Sequence, residues 1–208
     1  MRYIFTLTTG RSGTAWLAKL LSQFPDTQVH HERLKPDDWG LNTPDISTLM
    51  EYNTKGNTER VRQFWLQKVN FLETNVKSGT YVETSHTLGK AGLIENLDLF
   101  PEHNIVLLER NPIKVMHSMM RRGDYKCLGN MWIWLLDPGY ALNHSRPKGK
   151  TQKDLCQWYV SEMNLRIQDL LTKNRVNTVL HKTGIHETGP LLKKLGYTGA
   201  FYDPGPVN

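Results

Sequence analysis

The residues best placed to do chemistry lie near the N-terminus, in Thr8-Thr9-Gly10-Arg11-Ser12-Gly13-Thr14. The segment before them, Tyr3-Ile4-Phe5-Thr6-Leu7, is rich in β-branched and aromatic residues. The segment after them, Trp16-Leu17-Ala18-Lys19-Leu20-Leu21, is apolar at helical spacing. A strand, a glycine-bearing turn and a helix in that order aim backbone N–H groups and the positive end of a helix at one point, which is how proteins hold phosphate. Glycines there let the backbone approach an anion closely and adopt positive φ. A Walker A loop, G-x-x-x-x-G-K-[ST], sets a lysine directly before its hydroxyl residue. Here Thr14 follows Gly13 at once, and the cation, Arg11, lies inside the loop. An ordinary strand-to-helix turn is the competing reading of this stretch alone.

A second stretch has the same strand-loop-helix form. Asn104-Ile105-Val106-Leu107-Leu108-Glu109 is a continuous apolar run, as expected of a parallel strand covered on both faces. It ends in Arg110-Asn111-Pro112, and Val115, Met116, Met119 and Met120 then form the inner face of a helix whose first turn suits Pro112. Arg110 offers a planar fork to a phosphate. Ser118, two turns along, can donate one hydrogen bond toward the same place. Taken singly, Arg110 could pair with Glu109, and Ser118 could bond its own helix backbone.

The elements that must position these groups follow from periodicity. Gln28–Glu32 reads as a short strand or loop, and residues 35–58 as a long irregular region with a short helix near Ile46–Tyr52. Val61, Trp65, Val69, Leu72 and Val76 mark a helix over 58–77. Tyr81–Thr84 is a strand with a polar exit, Ser85-His86-Thr87, followed by a helix through Ile94 and Leu97 to Phe100. Trp132–Leu136 suggests another helix, residues 137–153 a basic loop, and 154–173 a helix with Trp158 and Tyr159 inward. Val176–His181 is a last strand and Glu187–Leu195 a last helix. Strands alternating with helices predict an α/β protein with a parallel sheet covered by helices.

The chain has 208 residues, 38% hydrophobic and 22% charged, which suits one globular domain over 1–208. The net charge of +6 favours anionic ligands. No long basic run or base-stacking pattern indicates nucleic acid. Cys127 and Cys156 have no neighbours at metal-ligand spacing and read as reduced, partly buried thiols. No apolar run reaches the roughly 18 residues of a membrane span. The N-terminus enters a strand at once, with no room for a cleaved signal, so the expected location is cytoplasmic.

Together, Gly10-Arg11-Ser12-Gly13-Thr14-Ala15-Trp16 and Leu108-Glu109-Arg110-Asn111-Pro112 through Ser118 resemble the paired signatures of the sulfotransferases that use 3′-phosphoadenosine 5′-phosphosulfate (PAPS). In that family the first signature reads like P-[KR]-S-G-T-T-W and holds the 5′-phosphosulfate. The second reads like R-[DN]-P-x-x-x-x-x-S and holds the 3′-phosphate. Arg110 and Ser118 have the family's spacing. The resemblance implies a three-layer P-loop-type fold, with a central parallel β-sheet flanked by helices. It implies transfer of a sulfuryl group from PAPS to a hydroxyl or amine, and metal-free chemistry.

The resemblance also implies roles. Gly10, Arg11, Ser12, Gly13, Thr14, Ala15, Trp16, Arg110 and Ser118 would bind the nucleotide. Arg11 would meet charge growing on the leaving phosphate. Arginine at this position is shared with tyrosylprotein and several carbohydrate sulfotransferases, whereas cytosolic members carry lysine. Glu32, twenty-one residues after Arg11, matches the catalytic glutamate of the tyrosylprotein enzymes. His86 falls where cytosolic members have the histidine of K-T-H, although here the segment reads Thr84-Ser85-His86. Either could take the acceptor's proton. Trp16 would stack on adenine or else sit in the core. Lys90 could help neutralise the sulfonate, but reads more simply as a solvated first-turn lysine. Ala15 replaces a usual threonine, and the C-terminal R-K-G-x-x-G-x-W-K segment of cytosolic members is missing. Its cover of the 3′-phosphate would fall to Arg146, Lys148 and Lys150, or to Arg121 and Arg122. A small-molecule, carbohydrate or peptidyl acceptor remains open. The competing functions are a P-loop nucleotide kinase, and a non-catalytic module binding nucleotides or sulfated glycans.

Overall fold

A computed structural model of the chain describes residues 1–32, 43–126, 136–173, 179–184 and 187–205. Its elements run β1 (Arg2–Thr8), α1 (Thr14–Leu21), β2 (Thr27–His31), α2 (Ile46–Lys55), α3 (Glu59–Asn75), β3 (Thr80–Thr84), β4 (His103–Glu109), α4 (Pro112–Arg122), α5 (Gln152–Lys173), β5 (Val179–Gly184) and α6 (Thr188–Lys194). The five strands form one parallel sheet in the order β2-β3-β1-β4-β5. Residues 3–8 of β1 are all buried, because this central strand is covered on both faces. Tyr3, Phe5 and Leu7 face a large core with α2, α3, α4 and α5, while Ile4 faces a smaller one with α1 and α6. The fold is thus α/β in three layers.

This order decides where the site lies. The strands after β1 are laid down first on one side of it, as β2 and β3, and then on the other, as β4 and β5, so the strand order switches at β1. In parallel sheets, ligands collect outside the C-terminal strand ends at such a switch. The exits of β1, β3 and β4 are the glycine loop, Ser85-His86-Thr87 and Arg110-Asn111-Pro112. α4 starts sharply because Asn111 Oδ1 accepts the N–H groups of Ile113 (2.9 Å) and Lys114 (3.2 Å), with Pro112 in the first turn.

Several expectations shift. The segment after β3 is two 3₁₀ pieces, Leu88–Lys90 and Ile94–Leu99, rather than an α-helix. Gly92 (φ +82°) separates them, and the Asn96 side chain bonds Gly92 O (2.7 Å). The short helix near Ile46 extends to Lys55, capped by Asp45 on the N–H of Thr48 (2.7 Å). Most of the expected helix at 132–136 lies outside the described residues, as do the start of the last expected strand and Cys127. Cys156 is buried, and burial pushes its thiol up to about 12. No helix among the described residues is long and apolar enough to cross a membrane.

One pair inside the apolar stripe of α3 was not legible as such. Lys68 is fully buried and sits 2.6 Å from Glu83 of β3, which also accepts the Tyr81 hydroxyl (3.0 Å). Burial pulls the Lys68 ammonium down and pushes the Glu83 carboxyl up, each opposed by the other's charge.

Candidate active site

The glycine loop is held in an unusual backbone path. Gly10 has φ +81°, Arg11 +54° and Gly13 +107°. A side chain at Gly10 would also meet the Cβ and Cγ of His86 at 3.2 Å, so both φ and space require glycine there. For Arg11 the left-handed conformation costs free energy, and it persists because neighbours over-determine it. Three successive carbonyls are tied down. That of Thr9 accepts the Tyr159 hydroxyl (2.8 Å), that of Gly10 accepts the hydroxyls of Thr9 and Ser12 (3.0 Å each), and that of Arg11 accepts Nη1 of Arg110 (2.8 Å). Among the described residues none accepts a hydrogen bond from the N–H of Arg11, Ser12, Gly13 or Thr14. N–H groups left without a partner at the start of a helix can hold an anion.

The two motifs meet in space. Arg11 Nε donates to Ser118 Oγ at 3.1 Å, across 107 residues of sequence, and Arg110 reaches the loop carbonyl as above. Ser118 is buried on α4, and its hydroxyl faces Arg11. Arg122, one helical turn beyond Ser118, pairs with buried Asp124 through Nε (2.7 Å) and Nη2 (2.8 Å). Burial, then the charges of Arg122 and Arg110, pull the Arg11 guanidinium down, with Asp124 and Glu32 opposing. The cations are therefore crowded around the loop, an arrangement that a bound polyanion would relieve.

Glu32 and His86 also come together. Oε1 of Glu32 accepts the backbone N–H of His86 (2.6 Å), and Oε2 lies 3.8 Å from His86 Nε2. Burial works against the charge on Glu32, but the His86 ring and N–H, His31 and Lys90 outweigh it and hold the carboxyl below its ordinary range. Burial, ahead of the charges of Lys90, Arg122 and His31, pushes His86 down to about 3 although Glu32 opposes, so the imidazole is neutral at pH 7. His31 anchors the end of β2 through Nδ1 to the carbonyl (2.7 Å) and hydroxyl (3.0 Å) of Thr84.

Lys90 corrects the sequence reading. It is not a solvated first-turn lysine but fully buried, with Nζ 2.8 Å from His86 Nδ1 and 3.3 Å from the Tyr159 hydroxyl. Burial pulls its ammonium well below the usual lysine range. An ammonium carries only donors. With Lys90 protonated, His86 Nδ1 accepts, and the imidazole proton sits on Nε2, toward Glu32.

Of the two readings of Trp16, the structure gives the core one. Its ring is 1% exposed in the core beside α6, and its indole N–H donates to Asp203 Oδ1 (2.9 Å). The third residue of an amphipathic helix whose inner face meets Ile4 and Leu192 is drawn into that core by its apolar area. Ala15 is half-buried on the outer side of the same turn. The basic loop is anchored by buried Glu162, which accepts from His144 N (2.8 Å), Ser145 N (2.9 Å) and Ser145 Oγ (2.7 Å). Arg146, Lys148 and Lys150 stay exposed, and among the described residues none of them bonds Arg110 or Ser118. Among the described residues no group of three His, Cys, Asp or Glu side chains could hold a metal ion.

No family model matches the chain, and comparison with curated proteins finds no match. Solved structures do resemble it. A sulfotransferase domain from the curacin biosynthetic pathway superposes with TM-score 0.56 at 14% identity, over 96% of this chain and 75% of that one. A sulfotransferase from Alicyclobacillus acidocaldarius superposes with TM-score 0.54 at 14% identity, over 100% of this chain and 87% of that one. The chain therefore has the fold of these sulfotransferases.

Proposed function

We propose that the protein is a sulfotransferase that moves a sulfuryl group from PAPS to an acceptor hydroxyl or amine. The observation that carries this reading is the linked pair of anion sites. A loop with four N–H groups that bond no described residue, and with its own arginine, is bonded directly to an arginine at the exit of β4 and a serine on α4. A nucleotide with phosphate groups at both ends of its ribose matches two such adjoining sites. When bound, PAPS supplies the sulfuryl group and a phosphate as leaving group.

In this reading the N–H groups of Arg11, Ser12, Gly13 and Thr14 hold the 5′ end, while Arg110 and Ser118 hold the 3′-phosphate. Arg11 faces the phosphate on which charge grows. Its guanidinium stabilises that charge without giving up its proton. Glu32 takes the acceptor's proton. With Lys90 protonated the geometry favours Glu32 over His86, since Lys90 then donates to His86 Nδ1 and the ring hydrogen sits on Nε2. A carboxylate held in its ionised form is ready to accept a proton as the acceptor oxygen bonds to sulfur. His86 orients Glu32 through its backbone N–H. The arginine of the first loop, shared with the tyrosylprotein and carbohydrate branches, favours a tyrosyl or carbohydrate hydroxyl.

Incubation with sulfur-labelled PAPS and a panel of tyrosyl peptides, glycans and small alcohols tests the proposal. Label should pass to at least one acceptor with wild-type protein, and about 10²-fold or more slowly with Arg11→Ala. Binding of the desulfated nucleotide with no transfer to any acceptor would instead favour a non-catalytic module.

A further inference from the structure

We propose that Tyr159 is a positioning residue for the transfer, fixing the donor loop from α5 and joining it to the Glu32–His86 side of the cleft. The inference rests on the sulfotransferase reading above. Tyr159 stands 150 residues from the loop in sequence and is fully buried. Its O–H donates to the Thr9 carbonyl at 2.8 Å, and its oxygen accepts from Lys90 Nζ at 3.3 Å. Lys90 also lies 5.4 Å from the centroid of the Tyr159 ring and bonds His86 Nδ1 at 2.8 Å. The His86 N–H completes the path to Glu32 at 2.6 Å. The Tyr159 phenol, the Lys90 side chain and His86, by its ring toward Lys90 and its backbone N–H toward Glu32, thus connect the first carbonyl of the loop to the carboxylate proposed as base.

Packing alone does not explain a tyrosine here. The ring lies against Tyr125 in the main core, where phenylalanine would fill the same space. Only the hydroxyl makes the connection. Of the three restrained loop carbonyls, that of Gly10 is held within the loop and that of Arg11 by Arg110, which the proposed nucleotide also engages. Among the described residues the Thr9 carbonyl is held only by α5. Rotation of the peptide that follows Thr9 would turn the backbone of Gly10 and Arg11 out of the path that exposes the N–H groups. The same hydroxyl also accepts from Lys90, the residue that bonds His86, so one hydroxyl ties the loop to the side of the proposed base. Buried polar networks of this kind are costly when partly broken.

Tyr159→Phe removes the hydroxyl and keeps the ring. The expected result is a fall in kcat of about tenfold or more, with the KM for PAPS changed less than about threefold, because orientation is lost while most anion contacts remain. Nitrogen NMR of the His86 ring is a second readout that needs no donor. In wild type Nδ1 should be an unprotonated acceptor, and its resonance should move in Tyr159→Phe as Lys90 loses an anchor. A Lys90→Met, Tyr159→Phe double variant that folds should lose no more than the worse single variant. An unchanged kcat, or a loss of stability with an unmoved His86 resonance, would overturn the proposal. Should wild type transfer no sulfuryl group, the sulfotransferase reading fails on that arm, and the His86 resonance still decides whether Tyr159 holds the path.

Discussion

Replacing Glu32 with glutamine separates the two candidate bases. The carboxylate accepts the His86 N–H at 2.6 Å through one oxygen, and the glutamine amide oxygen can keep that bond. The fold around β3 is therefore preserved, and what disappears is the ability to receive a proton. General-base assistance is worth about 10²–10⁴ in rate, or roughly 3–5 kcal/mol of barrier. The single-turnover transfer rate of Glu32→Gln should fall within that range, while nucleotide affinity changes little. His86→Asn should cost about tenfold, since it disturbs Glu32 without removing the base. The pH dependence carries the sign. Glu32 is held below its ordinary 4.5 and His86 is pushed to about 3, so both stay deprotonated through neutral pH. The wild-type rate should be flat from pH 6 to 8, as far as these groups set it, and fall only as pH drops below 4.5 and Glu32 takes up its proton. Rapid-quench measurements of transfer between pH 4 and 8 check this for wild type and both variants. An acid limb near pH 6.5 that persists in Glu32→Gln and vanishes in His86→Asn would make His86 the base and refute the tautomer assigned to it.

Arg110→Ala should reduce affinity for 3′-phosphoadenosine 5′-phosphate by about 2–4 kcal/mol, since it loses a charge-assisted contact as well as the bond to the Arg11 carbonyl. Adenosine 5′-phosphate should lose only about 1 kcal/mol from the loop bond, and equal losses in paired calorimetric titrations would contradict the role given to Arg110. Arg11→Ala should lower kcat about 10²-fold or more, with a smaller loss in binding of the desulfated nucleotide; an unchanged kcat removes it from the mechanism. Glu83→Gln should destabilise the fold by about 3–5 kcal/mol in urea unfolding, because it removes the carboxylate charge facing the buried Lys68 ammonium. The double change Lys68→Met, Glu83→Leu should recover most of that loss, and a Glu83→Gln variant as stable as wild type would show that the pair contributes nothing.

The architecture was readable because strands covered on both faces leave continuous apolar runs, as in β1 and β4, and the helices between them keep a 3.6-residue stripe. The meeting of Arg11 with Ser118 was implied by two motifs at strand exits, and here the sequence carries its own geometry. Elsewhere it does not. Lys90 looks like any exposed lysine, because nothing local says that a 3₁₀ turn will fold it under α5 against Tyr159. Lys68 interrupts the α3 stripe as a polar residue, and only the partner strand explains its burial. Tyr159 reads as core, and its hydroxyl has no visible partner until the loop is folded. Trp16 belongs to a motif that binds a base in the family the sequence resembles, yet its apolar area is spent in the core beneath α6. The base is the intermediate case. Glu32 and His86 could both be named from sequence, but the contact that bears on the choice, Lys90 on His86 Nδ1, could not.

The central claim is that the loop and the Arg110–Ser118 pair together hold a nucleotide bearing both 5′- and 3′-phosphate groups. A calorimetric titration of wild-type protein with 3′-phosphoadenosine 5′-phosphate, beside adenosine 5′-phosphate and ATP with Mg²⁺, tests it. The expected result is one site per chain for the bisphosphate, at least about tenfold tighter than for adenosine 5′-phosphate. No heat with the bisphosphate, or tighter binding of Mg²⁺-ATP, would contradict the claim and return the loop to the nucleotide kinases.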